Sequence, residues 1–175
     1  TFLARWCEAV YASQPDAARQ HGAELLAAVR TRPEIRRMAR NPVMLTALAV
    51  VHWNERRLPE QRAELYQSII TWLSRSREQR PGRQTAERTV TLLRELALAM
   101  QTDEAGRKTQ LARREAAERL AGEFAADRHS KDAIAQAENF LDAEEIDSGI
   151  VVARGPELAF WHLTFQEFLA AKAIA

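Results

Sequence analysis

The residues of this chain with the clearest chemical meaning lie near its end, in Phe160-Trp161-His162-Leu163-Thr164-Phe165-Gln166-Glu167-Phe168-Leu169-Ala170-Ala171. Thr164 and Glu167 stand three apart, the spacing of a capping box: the threonine hydroxyl accepts from the third helical amide while the glutamate reaches back to the Thr164 amide. That predicts a helix start. Phe165, Phe168 and Leu169 then recur at the 3 and 4 spacing of one helical face bound for a core, with the aliphatic stem of Lys172 at its edge. Phe160 and Trp161 read as strand. His162 therefore falls at the hinge between an extended segment and the free amides of a helix N-terminus, a place that attracts anions.

Other chemistries fail for want of residues. A phosphate-gripping loop needs Gly-x4-Gly-Lys-Ser/Thr, so that the backbone can wrap the phosphates and a lysine neutralise them. None of Gly22, Gly82, Gly106, Gly122, Gly149 and Gly155 fits, and no acidic strand end offers itself to magnesium. The four histidines, His21, His52, His129 and His162, are scattered. His21 and His52 fall within helices and are expected at the surface or its boundary. There is no Gly-x-Ser-x-Gly elbow, no His-Glu-x-x-His and no paired carboxylates. The reading names no catalytic residue and no metal ligand, and it excludes a free-standing enzyme.

Most of the chain that positions His162 is helical. Phe2, Leu3, Trp6, Val10 and Tyr11 trace one face, and Pro15 opens a helix through Leu25, Leu26 and Val29. Thr31-Arg32-Pro33-Glu34 repeats the capping-box spacing before a short helix through Ile35 and Met38 that ends at Asn41. Asn41-Pro42 supplies a cap and a first-turn proline to a helix that buries Met44, Leu45, Leu48 and Val51. Arg57-Leu58-Pro59 launches a helix carrying Leu65, Tyr66, Ile69, Ile70 and Leu73, with Trp72 beside them.

Arg80-Pro81-Gly82-Arg83 is the strongest breaker and the expected boundary between residues 1–80 and 84–175. Beyond it, Val90, Leu93, Leu96, Ala97 and Met100 mark a helix, and Lys108 to Leu111 reads as an edge strand. Helices are expected from Arg113 to Ala125 and from Lys131 to Glu144. Ile150–Ala153 and Leu158–Trp161 flank the four residues Arg154-Gly155-Pro156-Glu157 as a hairpin. Three helices and a hairpin make a winged helix, so the fold class is mainly α: a helical bundle domain, then a winged-helix domain.

Composition narrows the setting. The chain has 175 residues, 46% hydrophobic and 28% charged, with 6 Gly and 6 Pro, the profile of a helix-rich globule rather than a disordered chain. A formal charge of +1 draws it as a whole neither to nucleic acid nor to anionic lipid. The lone Cys7 permits no internal disulfide and no zinc pair, which suits a reducing cytosol, and no stretch is apolar enough for a membrane span. The opening at Thr1 and the unterminated Lys172-Ala173-Ile174-Ala175 read as a piece of a longer, cytoplasmic protein.

The stretch His162 to Ala171 resembles the closing signature of the winged-helix part of NACHT-family (STAND) signalling NTPases, the group that includes NOD-like receptors and bacterial relatives. Asn41-Pro42 with its aliphatic run, Arg57 to Tyr66, and Ser148-Gly149-Ile150-Val151 resemble other parts of the same family, in the same order. The resemblance implies that His162 contacts the phosphates of bound ADP and that Pro42 packs against adenine. It implies a nucleotide-binding core upstream, as partner and as holder of ADP or ATP, and homo-oligomerisation of the parent on activation. This segment alone would then neither hydrolyse ATP nor bind it tightly. The rival is a winged-helix DNA binder, but Lys131 to Asp142 sets one cation against Asp132, Glu138 and Asp142, a net −2 where phosphates would approach. A third reading is an inert helical scaffold in which His162 merely packs.

Overall fold

The computed structural model describes residues 2–40, 42–127 and 129–175, with Glu34 and Val43 described by their backbone alone. The chain divides into two compact units, Thr1–Ile69 and Ile70–Ala175. The division falls within a helix, and the Arg80–Arg83 breaker lies inside the second unit.

In the first unit α1 (Phe2–Val10) turns Leu3 and Cys7 inward and packs on α2 (Pro15–Thr31), whose first turn holds Pro15. The expected Thr31–Glu34 capping box depends on the Glu34 side chain, which lies outside the described residues. Helix α3 (Pro33–Met38) begins from Arg32, whose side chain makes no cap, and the Thr31 hydroxyl donates to the Ala28 carbonyl at 3.3 Å in the closing turn of α2. Helix α4 (Pro42–Glu55) buries Met44, Ala47, Leu48, Ala49, Val51 and His52, while Leu45 is only half-buried. The Asn41 cap lies outside the described residues. Helix α5 (Arg62–Arg75) starts only after Leu58-Pro59-Glu60-Gln61. Leu58 is buried there, its carbonyl accepts from Arg32 Nη1 at 2.8 Å, and the Glu60 amide donates to Glu64 Oε2 at 3.0 Å.

The second unit carries α6 (Ala86–Gln101), capped by the Thr85 hydroxyl, which accepts from the Arg88 amide at 3.2 Å. Then come β1 (Leu111–Ala112), α7 (Arg113–Leu120) with a 3₁₀ turn, and α8 (Lys131–Ala143), which loosens into a π turn over Glu144–Ser148. Gly149, at φ 65°, ends that turn in the left-handed region open to glycine. Strands β2 (Val151–Arg154) and β3 (Glu157–Phe160) lead into α9 (Leu163–Ile174). The sheet is antiparallel in the order β1-β3-β2, with Leu111 opposite Leu158 and Val151 opposite Phe160.

Two strand expectations are corrected. The edge strand is Leu111–Ala112 rather than Lys108–Leu111, because the Lys108 amide is spent on the Met100 carbonyl at 2.8 Å. The hairpin turn is two residues, Gly155-Pro156, not four, since Arg154 and Glu157 already pair. Gly155 at φ 64° takes the first central position, where such turns demand positive φ.

Helix α9 packs chiefly against α6, and around them Leu92, Leu93, Leu96, Met100, Leu120, Leu141 and Phe165 form the most deeply buried core. The buried face of α9 is Phe165, Gln166, Leu169 and Ala170. Phe168 is half-buried and Lys172 exposed, so the core stripe is rotated from the one expected. Gln166 is tolerated inside because its Nε2 donates to the Lys108 carbonyl at 2.8 Å. Phe165→Ala should therefore cost about 3 to 5 kcal/mol, and Phe168→Ala distinctly less. Denaturant midpoints of the two variants check the ranking, and the reverse order would misplace the face.

Candidate functional site

Strand β3 delivers its last residues to the start of α9 under restraint from both sides. The Trp161 amide donates to the Ile150 carbonyl at 2.8 Å, which prolongs the sheet by one bond, and the Trp161 ring stacks 6.1 Å from the buried Phe165 ring at 17°. His162 follows in extended conformation, φ −137° and ψ 134°, and is itself the N-cap of α9. This corrects the expected Thr164–Glu167 capping box. The Phe165 amide already donates to the His162 carbonyl at 2.9 Å, so helical bonding starts two residues before Thr164 could cap it. Glu167 pairs instead with Arg107 at 3.1 Å, both exposed.

The cap is made by the imidazole. His162 Nδ1 accepts from the Thr164 amide at 3.4 Å and lies 2.8 Å from the Thr164 hydroxyl oxygen. An amide nitrogen can only donate, so in this geometry Nδ1 presents its lone pair, which in a neutral imidazole leaves the proton to Nε2. The ring is half-buried, and Nε2 has no hydrogen-bond partner among the described residues. The result is an uncommitted N–H donor beside the positive end of a helix, a combination suited to an anionic oxygen.

Pro42, the other residue singled out, opens α4 in the first unit, exposed, its carbonyl accepting from the Thr46 hydroxyl at 3.0 Å. His162 and Pro42 thus belong to different units.

Two buried polar clusters escaped the sequence reading. His21 and His52 are not at the surface: they are 1% and 4% exposed, with rings edge-to-face at 4.9 Å. Trp6 and Tyr11 flank His21, with ring centroids 6.2 and 5.5 Å away. Arg56, a non-glycine residue at φ 56°, donates through Nη1 to His21 Nδ1 at 2.9 Å. The signal was present, since Ala18, His21, Leu25 and Val29 follow one another at helical spacing and His52 comes four residues after Leu48.

In the second unit the interhelical segment is tied to the π turn by arginines. Arg77 Nε donates to the Asp147 carbonyl at 3.1 Å, Arg80 pairs with the Asp147 carboxylate, and Arg83 pairs with Glu144. Those last two side chains are 2% and 0% exposed. Burial pushes the Glu144 carboxyl up, against the Ser148 hydroxyl, which donates to it at 2.6 Å, and the Arg83 guanidinium. Among the described residues no group of three or more His, Cys, Asp or Glu could hold a metal ion, and no helix is long and apolar enough to cross a membrane.

Three helices, α6 to α8, followed by the β2–β3 wing define the second unit as a winged helix-turn-helix. The chain belongs to the family described as the winged helix-turn-helix domain C-terminal to NACHT, which matches residues 43–174. That stretch includes α5, the winged helix and His162, and begins one residue after Pro42; it is a NACHT-associated segment and not a catalytic core. No curated protein and no solved structure matches the chain.

The histidine pair makes stability depend on pH. Burial lowers both pKa values from 6.5; for His21 the charges of His52 and Arg56 lower it further, while Glu24 opposes, and for His52 the opposition of Glu24 outweighs the further lowering by Arg56. Folded values below the unfolded one mean that the unfolded chain binds more protons, so this stability is complete above about pH 6.5 and is lost as pH falls below it. The wild-type denaturant midpoint should fall between pH 7.5 and 5.5. In His21→Gln/His52→Gln the fall should be clearly smaller, and an equal fall would show the pair to be silent.

Proposed function

We propose that this chain is the C-terminal regulatory portion of a NACHT-type ATP/ADP switch, of the group related to NOD-like receptors, in a cytoplasmic signalling or defence protein. The observation that supports this reading is the N-cap imidazole of α9, whose Nδ1 is occupied by Thr164 and whose Nε2–H is left to donate. In the full-length parent, an upstream nucleotide-binding core with the phosphate loop and ATPase chemistry holds ADP. His162 donates to one of its phosphate oxygens, and Pro42 packs at the adenine. The segment contributes these edge contacts and does not bind nucleotide tightly by itself. Loss of them frees the winged helix from the core, and the opened parent self-associates.

Nucleic acid is the less favoured partner. Three acidic side chains of α8 and its π turn are engaged by α7, Arg113 pairing with Asp142 and Glu145 and Arg114 reaching Glu138 at 3.9 Å. Arg113 and Arg114 are therefore already committed and not left for phosphates.

A hydrogen bond from a ring N–H to a phosphate oxygen is worth about 1.5 to 3 kcal/mol, so losing it shifts closed to open by roughly 10- to 100-fold. His162→Ala in the full-length parent should speed ADP release and raise basal oligomerisation by a factor of that order. Unchanged ADP release with only a lower melting temperature would return His162 to a packing role.

A further inference from the structure

The phosphate-contact reading needs the proton on Nε2, and a free neutral imidazole can carry it on either nitrogen. Among the described residues the ring has hydrogen-bonding contacts with Thr164 alone. Glu167, the acidic residue of α9, is taken by Arg107. No carboxylate or backbone carbonyl therefore sets the tautomer, as one commonly does for functional histidines.

The two Thr164 contacts play different parts. The amide can only donate, so it opposes a proton on Nδ1, but at 3.4 Å it is long and weak. The hydroxyl can in principle donate or accept, but among the described residues its hydrogen has no acceptor other than Nδ1, so at 2.8 Å, the geometry of a full hydrogen bond, it too favours a bare Nδ1. Were Nδ1 protonated, its hydrogen would confront that of the amide and leave a helix-terminal N–H without an acceptor. With Nδ1 bare, the hydroxyl donates and the amide shares the same lone pair at longer range. Both contacts favour the bare Nδ1, and the hydroxyl supplies most of the hold.

We propose that Thr164 is a positioning residue that locks His162 in the Nε2–H tautomer, and so aims its donor away from the helix start toward an incoming anion. The inference rests on the phosphate-contact reading for its purpose, and on the geometry of one unit for its substance.

The test is imidazole nitrogen NMR on the 175-residue chain with labelled histidine, at a pH where the rings are neutral, the His162 signals being assigned by their loss in His162→Gln. Wild type and Thr164→Ser should show His162 with bare Nδ1 and protonated Nε2. Thr164→Val keeps the shape and the amide but loses the hydroxyl, and should raise the ratio of Nδ1–H to Nε2–H roughly fivefold. A wild-type ring protonated on Nδ1 would overturn the proposal without any variant, which covers the case of a valine variant that fails to fold. A folded Thr164→Val with the wild-type tautomer would overturn it equally. In the full-length parent, Thr164→Val should speed ADP release while Thr164→Ser should not. A tautomer shift with unchanged ADP release would count against the phosphate contact and leave the assignment of Thr164 standing.

Discussion

The second unit depends on the packing of α9 against α6. Phe165, Leu169 and Ala170 on one helix and Leu92, Leu93, Leu96 and Met100 on the other are all at most 2% exposed, an apolar seam that fixes where α9 begins and how it is rotated. Much else follows from that placement. The strand that feeds α9 is the central one of the sheet, held by β1 along Glu157 and Leu158 and by β2 up to Phe160. The Gln166 side chain then anchors the loop before β1 through the Lys108 carbonyl, at a position where a buried amide without a partner would cost about 1 to 3 kcal/mol. His162 sits between a fixed strand and a fixed helix, and its ring orientation follows from both.

Charge supplies the second layer of order. The π turn that ends α8 would be a weak point in an otherwise regular fold, and it is where Arg77, Arg80 and Arg83 converge. The Arg83–Glu144 pair gives up nearly all its water, so its attraction mostly offsets its own desolvation. Such a pair adds little to net stability but penalises arrangements that separate its members. It therefore specifies one position of the interhelical segment on the winged helix.

Much of this was legible in the sequence, for a physical reason: helix faces, proline starts and the glycine turn are local signals, and α1, α2, α4, α6 and the hairpin form where those signals lie. The misses come where non-local partners decide. Thr164 and Glu167 have the spacing of a capping box, yet the sheet-fixed entry of His162 starts the helix earlier and Arg107 draws Glu167 away. His21 and His52 look like surface residues because histidine is polar, but Arg56 bonds to His21 and the Trp6 and Tyr11 rings wall it in, partners that lie on other elements. Of the candidate site, the position of His162 at a strand-to-helix hinge was readable. The direction of its donor was not, because that depends on contacts of 2.8 and 3.4 Å made by the hydroxyl and amide of Thr164, two residues on.

Arg56 turns the chain out of α4 at a φ of 56°, where a side chain beyond Cβ is disfavoured and glycine or asparagine would rest more easily. Its guanidinium is bonded to a ring on another helix. The backbone there is locally frustrated and the fold accepts the strain because the same residue closes a long-range contact, so comfort at one position has been exchanged for communication between two. A residue chosen on local grounds alone would make the better turn and give up the one side-chain hydrogen bond described between the end of α4 and His21 of α2.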